Sequence, residues 1–373
     1  MTEEGPDPRN PSEEGSAVDE AHGGQGEVGA RDATPGQDSP AEVDAKTADV
    51  DDTARGDRWL RRLTARLPSS GGPLIGLLLL VAVLSVLSPA FLSVNNLFNV
   101  LQQISVLATL AIGGTLVIIS RGIDLSVGSV LALGGAVAGW TFAEAGLPMG
   151  VAIVAGIAVG AAAGGVNGLL ITYGRLPPFI ATLAMLSMAR GAALVITEGQ
   201  PISGYPDWFR LIATYDLFGV IPFSVLLVAL LYVLAWLFLR YRPTGRALYA
   251  IGGNEEVARL SGINVRRAKL KVYTVSGALA ALGGLLLTAR LNSAQPNAGF
   301  TLELDVIAAV VIGGASLTGG SGTVTGTLVG ALIIGVIRNG LNLLGVSSFW
   351  QSIVIGAVIA GAVMTDTLRN RED

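Results

Sequence analysis

The chain has 373 residues, of which 51% are hydrophobic and only 14% charged, with a mean hydropathy of +0.60 and a formal net charge of −4. That composition excludes an ordinary water-soluble domain and fits an all-α integral membrane protein, in which the 50 glycines let helix backbones approach closely. With no cysteine and a single histidine, His22, the chain has no means of forming disulfides, thiolate nucleophiles, Cys/His metal clusters or histidine general bases, so no metal site is expected.

The net charge hides two populations. Residues 1–57 hold 16 acidic and 4 basic residues, whereas residues 58–373 hold 12 and 20. The first segment is rich in Glu, Asp, Gly, Pro, Ser and Ala without apolar periodicity, and is expected to be a disordered acidic tail. It lacks the basic-then-apolar order of a signal peptide. A regulatory tail and a solvated extension without specific role both fit it. Residues 58–373 form the expected transmembrane domain. It opens with a basic juxtamembrane stretch carrying Arg58, Arg61, Arg62 and Arg66.

Ten apolar elements follow, at about 74–91, 98–120, 125–143, 149–173, 178–197, 220–239, 272–290, 304–315, 323–343 and 349–368. A full span needs ~20 apolar residues, so the eighth is too short and reads as a broken helix. Placing both termini in the cytoplasm puts 16 Lys/Arg on the inner side and 2, Arg210 and Arg290, on the outer side. This positive-inside bias supports an even span count and a cytoplasmic position for residues 240–271.

On the second element Asn99, Gln102, Ser105, Thr109 and Gly113 share one arc of about 120° at helical spacing. A polar stripe on a membrane helix lines a hydrophilic pathway or bonds to neighbouring helices. The run from Arg121 to Ser129 interrupts the second and third elements, and its Asp124 either caps the third helix or serves the pathway. Gly156, Gly160, Gly164 and Gly168 on the fourth element and Gly322, Gly326 and Gly330 on the ninth predict close helix crossings. Pro177-Pro178-Phe179 starts the fifth, and Phe179 is carried as a pathway candidate. The outer loop at 198–219, with Tyr205, Trp208 and Tyr215, suits a docking face or an interfacial anchor. Glu303 and Asp305 read as caps or salt-bridge partners, and Asn339 and Asn342 on the ninth element join the pathway candidates.

Residues 240–271 form a basic polar island in an apolar half. Arg246 to Ile263 predicts a short helix broken at Gly252-Gly253. Asn254 is its N-cap, Glu255 and Glu256 sit in the first turn, and Gly262 is the stop. Ala258, Leu260 and Ile263 would offer an apolar surface to a partner's groove, or to lipid. No G-x-x-x-x-G-K-[ST] phosphate loop is present, so ATP-driven work would need a nucleotide site on another subunit. Residues 113–136 and 306–333 both read as apolar helix, Gly/Ser-rich break, small-residue helix, a pattern that points to a transport pathway.

GIDLSVGSVLALGGAV (122–137), PFIATLAML (178–186), YAIGGNEEVARLSGINV (249–265), ARLNSAQPNAG (289–299), ELDVIAAVVIGGASLTGG (303–320) and NGLNLLGVSS (339–348) together resemble the permease subunits of bacterial carbohydrate ABC importers, the ribose-type group. The resemblance runs from about Leu74 to the last span. It implies a homodimeric permease fold of about ten spans, including broken or half helices, in the cytoplasmic membrane. It also implies an ATPase that holds the ATP and Mg, an extracytoplasmic sugar-binding protein, surrounding lipid, and no nucleic acid. It identifies Gly253, Asn254, Glu255, Glu256, Ala258, Arg259, Ser261 and Gly262 with a coupling motif that contacts the ATPase. The acidic tail departs from the pattern, as does Gly299-Phe300-Thr301-Leu302. The resemblance implies ATP-driven import of a simple sugar, ribose, with another pentose, a hexose or an autoinducer-type solute as the alternative cargo. An ion-coupled carrier would need embedded titrating carboxylates, and the acids near the bilayer, Asp124, Glu144, Glu198, Glu303, Asp305 and Asp366, all fall near span ends.

Overall fold

The computed structural model describes residues 71–217 and 221–369. The expected tail 1–57 and the arginines 58, 61, 62 and 66 lie outside the described residues. Each of the ten apolar elements is a helix: α1 (Gly71–Leu87), α2 (Val94–Ile119), α3 (Val127–Ala143), α4 (Met149–Thr172), α5 (Pro178–Ile196), α7 (Phe223–Tyr241), α10 (Val265–Leu291), α11 (Leu302–Ile312), α12 (Val324–Leu343) and α13 (Ser348–Arg369). Six of these, α2, α4, α5, α7, α10 and α12, are long and apolar enough to cross a membrane, and α1, α3 and most of α13 are shorter apolar helices. With 11 residues, α11 rises only about 16 Å and is the expected broken element.

Three further helices lie in the loops: α6 (Asp207–Thr214), α8 (Pro243–Gly253) and α9 (Glu255–Leu260). Two antiparallel pairs depart from the all-helical expectation. β1 (Ile202–Ser203) pairs with β4 (Ser293–Ala294), and β2 (Asp216–Leu217) pairs with β3 (Ile221–Pro222). At two residues each they have no alternation to betray them in sequence, and they pin the loops that leave α5 and α10. On the same loop, α6 buries Phe209 and Ala213 while Trp208 stays half exposed.

The helix α10 is the axis of the bundle, packed against α2, α3 and α4. Its partner α4 carries the first glycine stripe. A Cβ on Gly164 would strike the Tyr273 carbonyl, one on Gly160 the Gly277 carbonyl, and one on Gly168 the Cα of Leu270. Gly156 continues the stripe onto the Gly134 carbonyl of α3. The second stripe seats α12 on α11, with Gly326 against Gly313 and Gly330 against the Ala309 carbonyl. Lipid supplies no hydrophobic drive between helices, so contact this close is what brings the backbones within reach of dispersion and weak hydrogen bonding.

Gly164→Leu should therefore force α4 off α10, costing about 1–3 kcal/mol or more. Gly191→Leu is the control, because nothing lies within 4 Å of the added Cβ at that position. Thermal unfolding of the purified variants in detergent, read by loss of the monodisperse peak, should show a lower midpoint for the first and no change for the second.

Candidate functional site

The basic island at residues 240–271 folds as two helices at a corner. In α8, Gly252 and Gly253 remain helical, and the break falls at Asn254, not at the glycines as expected; Gly252 is retained there by the contact it makes. The Asn254 side chain accepts from the Val257 N–H at 3.0 Å and caps α9, as the sequence indicates. Ser261 follows as the C-cap, and Gly262 takes φ +84°. The Gly262 N–H bonds to the Arg259 carbonyl and the Ile263 N–H to the Ala258 carbonyl, a Schellman stop that needs a residue free to be left-handed.

Of the expected apolar surface, Ala258 is 3% exposed and packs inward with Ile251 and Val265, with Ile263 half-buried beside them. One turn and a half of helix does not define a face from sequence alone. The outward apolar residues are Leu260, 77% exposed, and Val257, 56% exposed. Glu256 and Arg259 pair at 2.5 Å on the surface, where such a pair contributes little. Glu255 instead accepts from Lys269 of α10 at 2.6 Å, and the Lys269 side chain is largely buried. Lys269 carries no signal in the sequence, since its partner lies on another helix. A cleft of about 810 Å³ opens between the C-terminus of α4, α9 and the start of α10, lined by Arg175, Glu255, Arg259, Gly262 and Lys269 among others. A Cβ added at Gly253 would meet nothing within 4 Å.

The Arg121–Ser126 turn is folded into the bundle. Asp124 Oδ1 accepts from the Ser126 N–H at 3.0 Å and from Ser126 Oγ at 2.6 Å, and its Oδ2 accepts from Ser276 Oγ of α10 at 2.9 Å. Ser126 Oγ accepts in turn from Asn167 of α4 at 2.9 Å, and Thr182 of α5 donates to the Ile123 carbonyl at 3.2 Å. The cap expected of Asp124 is thus corrected: it reaches Ser126, the N-cap residue itself, and not the first turn of α3. Its carboxylate ties the turn to α10, and Ser126 and Ile123 extend the tie to α4 and α5. Asn167 and Ser276 are the members sequence reasoning missed.

The polar stripe of α2 divides along its length. Asn99 is exposed and Gln102 half-buried, whereas Ser105 and Thr109 are buried and donate to carbonyls four residues back. Gly113 lies against Ser276. Asn339 is buried in a reciprocal amide pair with Asn96, at 2.9 and 2.8 Å, while Asn342 and Phe179 are exposed. The same two helices, α2 and α12, also share a Thr115–Thr327 hydroxyl bond at 2.8 Å. Asp305 of α11 pairs with Arg338 of α12, as a salt-bridge partner, and Arg190 of α5 donates to the Pro296 and Ala298 carbonyls at 2.9 and 2.7 Å. Every charge placed within a span in this group has a partner, which its position in lipid demands.

Asp124→Ala should leave the buried Ser126 and Ser276 hydroxyls without their acceptor and cost about 1–3 kcal/mol. Asp124→Asn, which keeps one acceptor oxygen, should cost less. A detergent unfolding series on the two variants measures the difference.

The family model for the branched-chain amino acid transport system, permease component, matches residues 96–363. The ribose import permease protein RbsC of Escherichia coli strain K12 is 50% identical over 301 residues, covering 79% of this chain and 92% of that protein. RbsC of Bacillus subtilis strain 168 is 49% identical over 300 residues, with the same two shares, 79% and 92%. The xylose transport system permease protein XylH of Haemophilus influenzae is 38% identical over 360 residues, covering 80% of this chain and 96% of that protein. No solved structure matches the chain.

Proposed function

We propose a function from one premise: the chain belongs to the permease-component family of ABC importers. It is a multi-pass membrane protein and a permease, not an ATPase. Our reading is that it carries ribose inward across the cytoplasmic membrane. The identity of 50% across 92% of a ribose import permease carries that reading, against 38% for the relatives named for xylose and D-allose.

The assembly proposed with it has a second copy of this chain, an ATPase holding ATP and Mg, and an extracytoplasmic sugar-binding protein. The charge bias supports cytoplasmic termini and a cytoplasmic α8–α9 corner. There the outward Val257 and Leu260, and the cleft beside Glu255, Arg259 and Gly262, suit a protein partner that fills a groove. The bundle then alternates between outward-open and inward-open forms. Asn99, Gln102, Ser105, Thr109, Asp124, Phe179, Asn339 and Asn342 are the pathway residues proposed; the placement of Ser105, Thr109, Asp124 and Asn339 within hydrogen bonds fits groups that hold the pathway walls.

Labelled ribose uptake in cells with and without the gene, with ATP depletion as control, tests the cargo. Loss on deletion and return on complementation is the expected result. Retained ribose uptake with loss of xylose or allose uptake would reassign the sugar. In the same assay Glu255→Arg, which sets a cation against Lys269, and Gly262→Trp, which removes the left-handed stop, should each lower uptake about tenfold or more at unchanged membrane insertion. Normal uptake by both would remove the docking role.

A further inference from the structure

The sequence Tyr249-Ala-Ile-Gly-Gly253 ends α8, and it touches both helix breaks at once. The Tyr249 hydroxyl donates to the Gly322 carbonyl at 2.9 Å, just before the cap of α12. A Cβ on Gly252 would overlap the Ile119 carbonyl, at the end of α2, and the Gly320 N–H. The Gly320 N–H itself donates to the Ile119 carbonyl at 3.0 Å. Gly319 lies on the Arg121 backbone. Ile251, the residue before Gly252, is fully buried on the other side, against Ala258 and Val265. Three backbone segments thus meet with no flexible side chain between them. Burial pushes the Tyr249 phenol above its ordinary pKa.

Beyond this junction, α2 and α12 are fixed to each other along their length. Thr115–Thr327 joins them one turn above it, and the Asn96–Asn339 pair joins their far ends. A displacement applied at the junction therefore reaches the pair as a unit.

We propose that Tyr249 and Gly252 are positioning residues that lock both helix breaks to α8, so that movement imposed on the α8–α9 corner is delivered to α2 and α12 together. This rests on the docking reading above. A full importer reconstituted in proteoliposomes with its ATPase and binding protein tests it, with ATP hydrolysis and uptake of the sugar selected above, labelled ribose or xylose, measured on the same vesicles. Tyr249→Phe should co-purify with the ATPase and hydrolyse ATP at close to the parent rate. The sugar moved per ATP should fall about fivefold, the ratio set by losing one part-buried hydrogen bond. Gly252→Ala should fall further. Should Gly252→Ala fail to assemble, Tyr249→Phe still decides. A purely structural role would lower the amount of complex without changing sugar per ATP, and an unchanged ratio overturns the proposal. So would loss of ATPase binding by Tyr249→Phe, which would make it a docking residue. The docking reading fails separately, if Glu255→Arg retains the ATPase.

Discussion

The constraint on which the rest of this molecule depends is the absence of side chains where α4 crosses α10. Gly160 and Gly164 meet Gly277 and the Tyr273 carbonyl backbone to backbone. In water the burial of apolar surface would hold two helices at ordinary spacing; in lipid that drive is missing, and proximity itself has to supply the attraction. Close crossing brings α10 near enough to α2 and α3 for Gly113 to sit on Ser276 and for Gly134 to sit on Ala281. Asp124 can then reach Ser276. Gly113 is the glycine nearest this bond, with a Cβ there meeting the Cα and Oγ of Ser276.

The two interruptions of the helical bundle obey one rule. Irregular backbone inside a membrane protein must be buried in protein, with its polar groups paired. At Arg121–Ser126 the pairing comes from side chains of three neighbouring helices. At Gly313–Thr323 it comes from turns of the segment itself, with the Gly320 N–H donating to the Ile119 carbonyl and the Gly322 carbonyl accepting from the Tyr249 hydroxyl. Their meeting at Ile119 and Gly320 makes each break part of the other's shelter.

Much of this was legible in the sequence because membrane helices announce themselves by hydropathy, and glycines at four-residue spacing announce crossings. Asn254 was legible as a cap because an Asn ahead of two Glu suits a helix start and little else. Hydropathy starts α10 at 272, seven residues late, because Val265–Lys271 is too polar to read as part of a span; Asn264, accepting from the Arg267 N–H, begins the helix earlier. Ala258 was assigned outward because a helix of six residues has no periodicity to fix its inner side. Lys269, Ser276, Asn167 and Asn96 stayed hidden for a different reason. Each acquires its role from a residue on another helix, at a separation no local pattern encodes.

That early start of α10 has a mechanical meaning. Its 27 residues give a rod of about 40 Å, against a hydrocarbon core of about 30 Å. Its polar first turns carry Lys269, which pairs with Glu255 of the corner. The distance of that corner from the glycine crossing is set by the helix itself, by this ion pair and by the packing of Ile251 and Ala258 on Val265. In a thinner or thicker membrane the rod would take up the mismatch by tilting, while the platform at its foot keeps its distance from the glycine crossing.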